Sequence, residues 1–131
     1  MKHLPTIAGV LLGAVFLMAS LTVLLGFVPD EMPKMSEAAE HFMTAVGPTG
    51  FMTFVKVCEL VGAVLVMIPK TRGAGLLILG PILVNIVAYH LLVAGDGIAH
   101  PMVLAPCALA VYLVLVDARA FGRLIWRRPE R

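Results

Sequence analysis

The chain has 131 residues, 60% of them apolar and 14% charged, with a formal net charge of +2 and a mean hydropathy of +0.99. A soluble domain carries about 25% charge to cover its surface, so this composition excludes a water-soluble globule and makes the bilayer the natural solvent. Disorder and a secreted disulfide scaffold are excluded as well, and a net charge of +2 is too small to argue for nucleic acid.

A hydrocarbon core of about 30 Å takes about 20 apolar residues per helix, which leaves room for four spans. The first expected span covers 4–28, a run from Leu4 to Val28 without a charged residue, flanked by Lys2 and by Pro29, Asp30 and Glu31. A cleaved signal peptide also starts with a basic residue, but its apolar region is about 7–15 residues, and this run exceeds it. Gly9 and Gly13 form a GxxxG pair that admits a close helix, either a neighbour in the same chain or a second copy in a homo-oligomer.

Next comes a short amphipathic helix over 35–46. Met35, Ala38, Ala39, Phe42, Met43 and Val46 recur at helical spacing, opposite Ser36, Glu37, Glu40, His41 and Thr44. It is too short to span and is expected at the interface, covering one mouth of a bundle, with Gly47 and Pro48 ending it.

Span two is expected at 51–68, followed by a basic turn with Lys70 and Arg72. Span three follows at 74–94, span four at 98–116, and a basic tail at 117–131 with Trp126 as an interface anchor. The basic residues Lys2, Lys70, Arg72 and the tail arginines fall on one side of this alternation, while the acidic first loop and Asp96 fall on the other. The positive-inside rule then puts both termini in the cytoplasm. Pro81 and Pro106 interrupt spans three and four and predict kinks. The fold class expected is all-α: an integral membrane four-helix bundle forming one domain over 1–131, with an interfacial helix between spans one and two.

The residues that are costly where they lie are Lys56 and Glu59 in span two and Asn85, Tyr89 and His90 in span three. Lys56 and Glu59 are three apart on one helix face, close enough to pair. Asn85 is expected at a depth similar to Glu59, where its amide can donate to the carboxylate, and Tyr89 follows one turn later. His90 is rotated about 140° from Asn85, so the two do not easily address one atom. Two readings stay open. The set is a satisfied network that fixes helix packing, or it is a proton-accepting or ligand-binding site with Glu59 as the titrating group. A b-type haem takes two axial ligands and only His90 lies inside a span, so no metal site is expected. Cys58 and Cys107 could meet at one level, although no CxxC is present; packing thiols are the commoner use. No phosphate-binding loop, zinc spacing or nucleophile elbow appears.

The stretch FVKVCELVGAVLVMIPKTRGAGLLILGPILVNIVAYHLLV, from Phe54 to Val93, resembles the DoxX family of small four-helix bacterial membrane proteins. The resemblance rests on Lys56, Glu59 and Gly62, the basic turn of Lys70 and Arg72, and then Pro81, Asn85 and His90. The first span, the acidic loop and the arginine-rich end extend it over nearly the whole chain. It implies a bundle of the bacterial cytoplasmic membrane that acts as an accessory membrane subunit, with redox protein partners and with a quinone or a thiol-handling system. Two other functions fit the residues alone: a scaffold subunit without chemistry of its own, and a small proton-coupled transporter that would need to oligomerise.

Overall fold

The computed structural model describes residues 2–27 and 34–125, and the side chains of all of these but 124 and 125. Among them every regular element is helical. Helix α1 (Leu4–Leu24) opens with proline in its first turn, where the missing N–H breaks no helical bond. Helix α2 (Glu37–Val46) is capped by Ser36, whose Oγ accepts the Ala39 N–H at 3.2 Å. Glu37 and Glu40 sit in its first turn, where the helix dipole favours acids.

A 3-10 turn (Gly47–Thr49) and Gly50, at φ +76°, bend the chain by 83° into α3 (Phe51–Met67). That positive φ is strained for any residue with a Cβ. Thr71 closes the next turn by donating to the Leu65 carbonyl at 2.9 Å, an acceptor that the end of α3 leaves open. Helix α4 (Arg72–Tyr89) runs through Pro81 and widens into a π-helical turn at His90–Ala94. Helix α5 (Pro101–Val116) runs through Pro106, and α6 (Ala118–Ile125) follows Asp117.

Two of these helices, Leu4–Leu24 and the continuous Arg72–Ala94, are long and apolar enough to cross a membrane. The count is three if the bent Glu37–Thr49 and Phe51–Met67 pair is one span, and Pro101–Val116 is apolar but shorter. Of the helix expected at 35–46, Glu37–Val46 is helical as α2, with Ser36 as its cap. Of the tail expected at 117–131, α6 covers the first part; Trp126, Arg127, Arg128 and Arg131 lie outside the described residues, as do Asp30 and Glu31.

Helix α3 is the shared wall. It packs on α1 and on α4, while α5 lies against α1 and α4. A methyl group on Gly9 would sit 2.8 Å from the Val66 carbonyl oxygen, and one on Gly75 2.5 Å from the Val66 nitrogen. So α1 and α4 both approach the same turn of α3 backbone to backbone, which only glycine permits. Gly9 and Gly13 thus serve a neighbour in the same chain. The fully buried core is Leu12, Ala63, Leu79 and Leu113 with Val66 beside them. Met18 on α1, Val84 on α4 and Leu115 on α5 point outward, an apolar exterior that suits lipid.

Candidate functional site

Glu59 lies on the inner face of α3 with 2% of its surface exposed. A buried carboxylate must be paired or neutralised, because desolvation penalises its charge. Lys56, one turn earlier, supplies the pair: its Nζ lies 2.8 Å from Glu59 Oε2. The second donor comes from α1, where the Ser20 hydroxyl, itself fully buried, donates to the same Oε2 at 3.1 Å. The antiparallel approach of α1 and α3, with Gly9 beside Val66 at one end, carries Ser20 to the level of Glu59. Ser20 was not among the predicted site residues. Its signal was a hydroxyl deep in a run otherwise free of charge.

Asn85 does not join this group. Its side-chain amide donates to the Pro81 carbonyl of its own helix at 3.0 Å, and the residue is exposed. The reason is helical phase. The buried stripe of α4 runs through Gly75, Leu76, Leu79 and Leu83, and two residues beyond Leu83 the chain has turned about 200° away. Depth alone placed Asn85 beside Glu59; the face it occupies takes it elsewhere.

Tyr89 and His90 form a separate cluster at the α2 end of the molecule. The Tyr89 ring lies 5.6 Å from that of Phe42 on α2 and 5.5 Å from that of His90. His90 Nδ1 is 2.8 Å from Asp96 Oδ1, and this hydrogen bond holds the Asp96 carboxyl below its ordinary value. The five predicted residues therefore fall into three places: Lys56 with Glu59, Asn85 alone, and Tyr89 with His90.

At the opposite end, Arg72 Nε donates to Asp117 Oδ2 at 2.9 Å and ties the start of α4 to the joint between α5 and α6. Cys58 and Cys107 are both free thiols. Cys107 lines a groove of about 380 Å³ between α4 and α5, with Gly80, Leu83, Val84, Val111 and Val114 among its walls; α3, which carries Cys58, has α1 and α4 as its packing partners. The groove contains none of the predicted polar residues, and among the described residues no group of His, Cys, Asp and Glu is placed to hold a metal ion.

Chemically, the Ser20–Lys56–Glu59 site offers one carboxylate in an apolar interior, able to take a proton or a hydrogen bond. Comparison with protein-family models, with curated proteins and with solved structures returned no match to this chain.

Proposed function

We propose that the chain is a DoxX-like integral membrane four-helix bundle of the bacterial cytoplasmic membrane, with both termini in the cytoplasm. In this reading it is the accessory membrane subunit of a redox system linked to quinones or thiols. Glu59 accepts a proton, or a hydrogen bond from a quinone-like head group, in a polar pocket in the outer half of the bundle. The observation that carries the reading is the burial of Glu59 inside an apolar helix, at 2% exposure, with a lysine as its neighbour. Intramembrane carboxylates are costly, and function is the usual reason a chain keeps one. The resemblance supplies the redox context.

The test is complementation of a deletion strain, read as survival of a thiol oxidant and as quinone-dependent respiration. Glu59→Gln is expected to abolish both while the protein's level in the membrane stays unchanged. Full complementation by Glu59→Gln overturns the reading.

A second reading is favoured by the bond from Ser20. A carboxylate that joins α1 to α3 through a hydroxyl is also a structural pin, and the chain would then be a scaffold subunit. On that reading Glu59→Gln fails through loss of the protein from the membrane.

A further inference from the structure

A hydroxyl within a helix commonly bonds the carbonyl four residues back. Thr22 does this to Met18 at 2.7 Å and Thr44 to Glu40 at 2.8 Å. Ser20 does not: it reaches across to α3 and donates to Glu59 Oε2 at 3.1 Å. Lys56 donates to that same oxygen at 2.8 Å. A carboxylate offers two oxygens and about four acceptor positions, yet both donors here share one oxygen. Among the described residues none donates to Oε1. No fully buried side-chain oxygen among them lacks a partner, so Oε1 keeps part of the 2% of Glu59 that remains accessible. A carboxylate that only ties two helices together is better served by donors on both oxygens, since an unmet buried acceptor is costly.

We propose that Ser20 is a positioning residue. With Lys56 it fixes Oε2 and leaves Oε1 facing a narrow opening, where the carboxylate receives water as its O–H donor. The inference rests on the reading of Glu59 as a working carboxylate and names what first meets it. At 2% exposure the carboxylate is within reach of a water-sized donor, and Lys56, which shares it, has a side chain 16% exposed.

The test is infrared spectroscopy of the full chain in phosphatidylglycerol nanodiscs, with the Glu59 carboxylate band assigned by difference from Glu59→Gln. On transfer to D2O, part of the band shift depends on Ser20 and is isolated by subtracting the Ser20→Ala series. That part is expected to be complete at least about a hundredfold faster than exchange of the α3 backbone amides, and Ser20→Thr is expected to restore it. A Ser20-dependent shift as slow as the amides is the behaviour of a dry pin and overturns the proposal, as does the absence of any such shift. Should Ser20→Ala not fold, the unaltered protein decides: one fast phase supports the proposal, and any phase as slow as the amides overturns it. The measurement needs no redox partner, so its failure is distinguishable from restored complementation by Glu59→Gln.

Discussion

The Ser36 hydroxyl donates to the Val93 carbonyl at 2.9 Å while it accepts the Ala39 N–H at 3.2 Å. One oxygen therefore caps α2 and meets a carbonyl in the π-helical turn that ends α4. Only Ala39 of α2 is buried, so this joint and the Phe42–Tyr89 ring contact hold the helix in place. Ser36→Ala removes the cap and the bridge together, at about 2 kcal/mol in sum. Hydrogen exchange of Glu37–Val46 is expected to rise about thirtyfold, with α3 unchanged.

The glycines divide by what surrounds them. Gly75→Ala places a methyl 2.5 Å from the Val66 nitrogen and 2.9 Å from the Gly62 carbonyl oxygen, backbone atoms that cannot step aside singly. It is expected to cost about 1–3 kcal/mol. Gly80→Ala meets nothing within 4 Å and is expected to be neutral or stabilising by up to about 1 kcal/mol. Thermal unfolding of both variants in one detergent checks the contrast, and a Gly80→Ala loss equal to that of Gly75→Ala contradicts it.

Arg72 and Asp117 are both sheltered, with side chains 12% and 25% exposed. Removing either partner is expected to loosen the joint between α4 and α5, and a double-mutant cycle with Arg72→Met and Asp117→Asn should give a coupling of about 1 kcal/mol. A coupling near zero would show that the two charges meet without contributing.

Asp96 provides a pH dependence. Its hydrogen bond with His90 lowers the carboxyl's affinity for protons in the folded chain. The contribution is therefore fully present above the ordinary aspartate value and is lost as the pH falls through the lowered one. Asp96→Asn is expected to flatten the acid limb of the unfolding midpoint plotted against pH. An unchanged acid limb would assign that dependence to other carboxyls.

The apolar runs and the amphipathic α2 were legible because periodicity and length report burial directly. Lys56 and Glu59 were legible as a pair because one helical turn fixes their distance whatever the tertiary structure does. Ser20 was not, since its partner lies 39 residues away and a serine in a helix has a local carbonyl ready to satisfy it. The depth of Asn85 is legible from its place in the span, whereas the face it occupies follows the phase of α4, and on that face its amide bonds the Pro81 carbonyl of its own helix. The His90–Asp96 pair depends on the π-helical widening and the turn that follows, which residue spacing did not disclose.

Both donors to Glu59 come earlier in the chain than Glu59 itself. Synthesis proceeds from the N-terminus, so Ser20 and Lys56 have already been made when the carboxylate leaves the ribosome. The growing chain need not wait for α4 or α5 before its most costly side chain can be met. A nascent α1–α3 hairpin already holds both side-chain donors to Oε2, and the later helices join a pair in which that oxygen is already met.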